Sequence, residues 1–371
     1  MSATPLPHLL SALRDPALAL HWPLAQWQET VRTARRLRLL ARLAAGIESA
    51  GLMSDVNALP RAHLVAELQL SRWRMQSLLW AMQGIGQTLQ ASPFPRVLLK
   101  GAAYLGQALP ISAGRMPADL DMLVPRTHLE DAQQRLQGAG WAELELDAHD
   151  RRYYLEWSHE VPPMHHPVHR MELDLHHNIL PPLARTTVDA QLLLARLRPS
   201  RYDGWSVLHP VDQVLHSASH LFLDAEPRER LRDIVDLDGL MRYFETYESG
   251  FWDELPRRAR ELGLSEALAL AVHFAMAWLS TPVPASALAE INAAGPGPVR
   301  RAWLLPMWSA LLTPGDADAA PPWRQQLAAH LVLLRYHAQR LPWRLLLPHL
   351  WHKFRARQAA AQAVDHVAAK P

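Results

Sequence analysis

The residues of this chain best suited to chemistry lie in Ala118-Asp119-Leu120-Asp121-Met122-Leu123-Val124, with Leu98-Leu99-Lys100-Gly101 upstream and Glu172-Leu173-Asp174-Leu175 downstream. Alternation along a strand puts Asp119 and Asp121 on one face and Leu120, Met122 and Val124 on the other, where a core covers them. Two carboxylates sharing one small patch drive each other to protonate unless a cation sits between them. Mg²⁺ or Mn²⁺, held by carboxylates and substrate phosphates, meets that need. The downstream run repeats the pattern, with Met171, Leu173 and Leu175 on one side and Glu172, Asp174 and His176 on the other. Asp119, Asp121 and Asp174 are therefore the candidate catalytic acids and metal ligands.

Positioning these acids requires a strand, a glycine turn, a helix and a second strand. Arg96 to Leu99 reads as a short buried strand broken at Gly101, followed by a helix over Ala102 to Leu109 and a loop over Pro110 to Ala118. Gly101 lets backbone N–H groups approach an anion at the start of the helix. Only Lys100, Lys353 and Lys370 are lysine among 38 basic residues. Against that arginine bias, a lysine beside the turn fits a compact point charge for a phosphate, or a side chain snorkelling from a strand end.

These residues carry a resemblance. The strand, glycine turn and Asp-x-Asp strand, with a third acid on a later strand, resemble the polymerase-beta-like nucleotidyltransferase superfamily. Within it, Leu99-Lys100-Gly101-Ala102-Ala103, Arg115, Asp119-Leu120-Asp121-Met122-Leu123-Val124 and Leu173-Asp174-Leu175-His176 resemble the bacterial uncharacterised nucleotidyltransferase family. The turn departs from the superfamily's Gly-Ser or Gly-Gly, and residues 102–118 make a longer spacer.

The resemblance implies an α+β fold: a small mixed-sheet nucleotidyltransferase core (96–185) between an N-terminal helical region (1–95) and a C-terminal helical region (186–371). It implies two divalent metals on Asp119, Asp121 and Asp174, and transfer of a nucleoside monophosphate from an NTP, ATP being the first candidate, to a hydroxyl acceptor with release of pyrophosphate. Lys100, Gly101, Ala102 and Arg115 would then contact the nucleotide phosphates. A catalytically degenerate relative that binds a nucleotide or a partner protein is the alternative.

Composition sets the outer limits. With 49% hydrophobic and 20% charged residues the chain reads as a folded soluble protein. A formal charge of +2 gives no whole-protein nucleic-acid signature, and the absence of Cys excludes disulfides, thiolate catalysis and cysteine zinc sites. Met1 to Leu20 lacks a basic start, and no window reaches 18 apolar residues, so a cytoplasmic protein without a membrane span is expected.

Along the chain, Met75, Leu78, Leu79, Met82, Ile85 and Leu89 predict a long amphipathic helix within residues 60–91, with Trp73 and Trp80 in the core. Trp27 to Gly51 predicts another helix. Thr127 is expected to cap a helix over Leu129, Ala132 and Leu136, and Trp141 to Leu146, Arg151 to Trp157 and Arg170 to His176 read as strands. The rest, from Thr186, reads as mostly helical.

The cluster His159, His165, His166, His169, His176 and His177 lacks both cysteine and His-Glu-x-x-His spacing, so zinc is not expected. On a helix beginning at Pro210, Asp212, His216 and His220 form a polar stripe, either a solvated face or a wall of the active-site cleft. The resemblance favours the wall, making His176, His216, His220 and Asp236 its candidate residues, while Arg232, Asp233 and Asp236 also suit a salt-bridged structural helix. From Ala319 to Val364 there is no acid, and seven Arg and Lys accompany Trp343, Trp351 and Phe354. That stretch suits RNA, anionic lipid or an acidic partner, although packing on the protein body is favoured.

Overall fold

The computed structural model describes residues 6–146, 157–169, 171–223, 228–315 and 320–340, with Arg152, Tyr154 and Arg344. Seven strands, β1 (Arg96–Leu98), β2 (Asp119–Leu123), β3 (Ala142–Glu143), β4 (Met164–His165), β5 (Glu172–His176), β6 (Arg198–Pro199) and β7 (Trp205–Val207), form one mixed sheet in the order β3-β4-β5-β2-β1-β7-β6. The carboxylate-bearing strands lie at its centre. β2 runs parallel to β5 with Asp119 opposite Glu172 and Asp121 opposite Asp174, and antiparallel to β1. Leu120, Met122, Leu173 and Leu175 are fully buried, as the alternation requires.

Four helices precede the sheet: α1 (Leu6–Arg14), α2 (Leu24–Arg36), α3 (Leu40–Ser49) and α4 (Ala58–Thr88). Trp27 to Gly51 forms two helices rather than one, because the chain breaks at Arg38, whose φ is 55°. The long helix is α4, started by the Asn57 side chain, which accepts from the Leu59 N–H. It buries Leu64, Leu68, Ser71, Leu78, Met82 and Ile85 at three- and four-residue steps. Trp73 and Trp80 are not core residues: each lies two positions from this stripe, 55% and 49% exposed.

After β1 comes α5 (Lys100–Gly106), which starts two residues earlier than the sequence suggests, and after β2 comes α6 (Leu129–Gly138). Thr127 does not cap α6; it sits inside a 3₁₀ turn over Arg126–His128 that follows Pro125. Only Ala142–Glu143 of the Trp141 to Leu146 run is a strand. In the expected strand over Arg151 to Trp157, Arg152, Tyr154 and Trp157 are helical, and the others lie outside the described residues.

Beyond residue 185 the chain still supplies β6 and β7, β7 pairing in parallel with β1, and is otherwise mostly helical. The helices are α7 (Ala190–Leu194), α8 (Pro210–Phe222), α9 (Leu231–Tyr247), α10 (Phe251–Glu261), α11 (Ser265–Leu279), α12 (Ala285–Ala294), α13 (Pro298–Leu312) and α14 (Trp323–Arg340). One continuous apolar core joins them to the sheet and to α1–α4. The polar stripe of α8 is not a solvated face: Asp212 is fully buried and held by the Arg258 guanidinium at 2.7 and 3.0 Å. No described helix is long and apolar enough to cross a membrane. Most of the basic C-terminal stretch lies outside the described residues.

Candidate active site

The parallel register of β2 and β5 brings Asp121 against Asp174, and ligand atoms of Asp121, Asp174 and His176 all lie within 4.8 Å of one another. Asp119, two residues back on the same face of β2, is less buried. Burial, and then the Asp121 charge, push Asp174 up to about 8 and raise Asp119 as well. Burial would raise Asp121 too. It is instead held well below the usual carboxylate range by the Lys100 ammonium and the His176 imidazole. Lys100 Nζ donates to Asp121 Oδ1 at 2.5 Å, and His176 Nε2 lies 3.1 Å from the same oxygen.

Lys100 and His176 contact Asp121 directly, Arg115 and Arg232 act on Asp119, and Asp174, with no such cation against it among the described residues, is raised. The carboxylate oxygens of this cluster suit a hard divalent ion.

Lys100 opens α5 one residue after β1, with a φ of 43° that non-glycine residues seldom adopt. The Leu99 N–H bonds the Asp121 carbonyl at 3.0 Å, extending the β1–β2 ladder and setting Lys100 over the carboxylate. Its ammonium neutralises Asp121. Gly101 makes room for Arg115, since a Cβ there would meet Arg115 Nε at 2.8 Å. The Arg115 guanidinium pairs with Asp236 and lies over the Tyr104 ring, 5.0 Å from its centroid. Ala102 is buried in the core behind the turn.

Two open clefts meet at Lys100 and His220. One, of about 580 Å³, carries Arg38, Arg115 and Arg232 around Asp119 and Asp121, with Asp236 in its wall. The other, of about 830 Å³, is lined by Glu160, His176, His216 and His220, with Leu180 and Tyr336 among its other walls. Burial, and next the Lys100 charge, hold His216 down to about 3, so it is neutral near pH 7. His176 moves the other way: burial lowers it, but the hydrogen bond to Asp121 and the Glu160 charge raise it more.

Sequence reasoning did not single out Arg38, Glu160 or Tyr336. Arg38 lies at a helix break with no local marker. Glu160 precedes Pro162-Pro163 in irregular chain, and reaches the site through an isolated antiparallel bridge to His176.

A buried Asp-x-Asp strand, a third acid on its parallel neighbour and an arginine-rich cleft beside them define a nucleotidyltransferase. The family model described as uncharacterised nucleotidyltransferase matches residues 23–280, most of the chain and the whole of the sheet, and the chain belongs to that family. Comparison with curated proteins and with solved structures gives no significant match.

Proposed function

We propose that the protein transfers a nucleoside monophosphate from an NTP, ATP first among them, to a hydroxyl-bearing acceptor and releases pyrophosphate. The observation that carries this reading is the convergence of Asp121 and Asp174, with Asp119 and Asp121 lining a cleft that bears three arginines. In this reading Asp119, Asp121 and Asp174 hold Mg²⁺ or Mn²⁺. When bound, the metal supplies charge that steadies the triphosphate and lowers the pKa of the attacking hydroxyl.

Arg38, Arg115 and Arg232 bind the phosphates, a contribution made where charge develops. With a metal held by the carboxylates, Lys100 would be free to turn from Asp121 to a phosphate oxygen, and the acceptor would enter by the histidine-lined cleft. An NTP donor makes the cytoplasm the proposed compartment. One observation favours a second reading: the ammonium of Lys100 already compensates Asp121, as it would in a relative that binds without turnover.

Full-length protein incubated with each α-labelled NTP, Mg²⁺ and a panel of small-molecule and RNA acceptors tests both. Pyrophosphate release with label transfer, abolished in Asp119→Asn and Asp121→Asn while both remain folded, is the expected result. Full activity in either variant sinks the assignment, and NTP binding without release from any nucleotide supports the non-catalytic reading.

A further inference from the structure

His176 presents its two ring nitrogens to different surroundings. Nε2 faces Asp121 Oδ1 at 3.1 Å, and an ionised carboxylate can only accept, so Nε2 carries the proton. In the neutral ring that a metal ion requires, Nδ1 then holds the lone pair. It points the other way, toward Glu160 Oε2 at 3.3 Å, yet Nδ1 is buried with no hydrogen-bond partner. His176 itself is only 2% exposed, so among the described residues this nitrogen is a buried polar atom without a protein hydrogen-bond partner.

Two further donors converge on it. One ring nitrogen each of His159 and His176 and one carboxylate oxygen of Glu160 lie within 4.8 Å of one another. Backbone geometry fixes this placement: the His177 N–H bonds the His159 carbonyl at 2.8 Å, the Val161 N–H bonds the Leu175 carbonyl at 3.0 Å, and Glu160 bridges to His176 between them.

We propose that His159, Glu160 and His176 form a second metal site, for a borderline-soft divalent ion of the Zn²⁺ or Co²⁺ class. The donor chemistry separates it from the carboxylate pair, since two imidazoles and one carboxylate suit zinc-type ions, whereas oxygen-only sets suit Mg²⁺. The Asp121–His176 contact is the outer partner that such a ligand needs, because a metal-bound histidine donates its other N–H to a carboxylate that fixes its tautomer and orientation. Three protein donors and an open side toward the wider cleft leave a position for water or for an oxygen of the acceptor. The same His176 thus ties the two sites together. The proposal concerns binding alone and holds whether or not nucleotidyl transfer takes place.

The test uses the full chain, stripped with a chelator and titrated with Co²⁺ without nucleotide and in excess Mg²⁺. One Co²⁺ per chain with the strong visible bands of a low-coordinate ion, displaced by Zn²⁺ but not by Mg²⁺, is expected. Glu160→Gln and His159→Gln should each weaken Co²⁺ about tenfold or more, as removing even an outer partner does, while Asp119→Asn binds it like the parent. Both altered side chains are partly exposed, and circular dichroism checks that each variant folds. His159→Gln keeps the question open should Glu160→Gln fail to fold. Displacement of Co²⁺ by Mg²⁺, or parent-like Co²⁺ binding in both variants, overturns the proposal.

Discussion

Asp121 is held by Lys100 and His176 and repelled by its register partner Asp174, and the balance decides what a single substitution does. In Lys100→Ala the carboxylate keeps only His176. Breaking a nearly buried pair by removing one partner leaves an uncompensated charge, so the metal-free variant should be about 2–3 kcal/mol less stable, at the low end because one partner survives. Mg²⁺ should restore the loss and bind no more weakly than to the parent, since it no longer competes with an ammonium. ATP with Mg²⁺ should bind more weakly. Isothermal titration with Mg²⁺ alone and then with ATP separates the two, and equal ATP affinity would make Lys100 a purely structural partner of Asp121. Period-two alternation made Asp119, Asp121 and Asp174 readable in the sequence. Glu160 was not readable, because its place depends on a bridge formed by an irregular segment.

Among the elements, α8 shows where pattern stops being informative. Its polar stripe suits a solvated face as well as a cleft wall, and the structure buries Asp212 in an ion pair with Arg258 and His216 against the site. Strands β6 and β7 escaped for another reason. They are two and three residues long, too short for periodicity, and β7 finds its partner β1 more than a hundred residues back in the chain. At the start of α8, His209 is buried beside the Arg196 and Arg198 guanidiniums, with Glu254 and Arg258 the other charges on it. Burial first and Arg196 next push it down to about 4. A histidine neutral in the fold but able to protonate in the unfolded chain contributes fully above its unfolded pKa of about 6.5, and that contribution is lost as pH falls toward 4. His209→Gln should therefore lose less stability than the parent between pH 7 and pH 4.5 in denaturant unfolding. Identical losses would mean that His209 is not held neutral.

Across the whole molecule, the two clefts draw on chain separated by some three hundred residues: Arg38 from the break before α3, Lys100 and Asp119 from the sheet, Arg232 from α9 and Tyr336 from α14. Local patterns foretold a central sheet flanked by helices. They did not foretell which helices close over the site, because that is set by packing between distant segments. A ligand spanning such a site binds only the assembled fold, so it must stabilise the chain as a whole. At about a hundredfold above its dissociation constant, Mg²⁺-ATP should contribute roughly 2.7 kcal/mol, which for a chain of this size raises the melting temperature by about 3–4 °C. Asp174→Asn is the sharper control than a change at Asp121, which would strip Lys100 and His176 of their partner. Burial and the neighbouring Asp121 charge already disfavour the ionised form of Asp174, and Asn keeps its shape. The unliganded variant should thus melt close to the parent while its ligand-induced shift shrinks or vanishes. A thermal-shift titration of both proteins decides it: an undiminished shift in Asp174→Asn would mean that the nucleotide binds away from this carboxylate cluster.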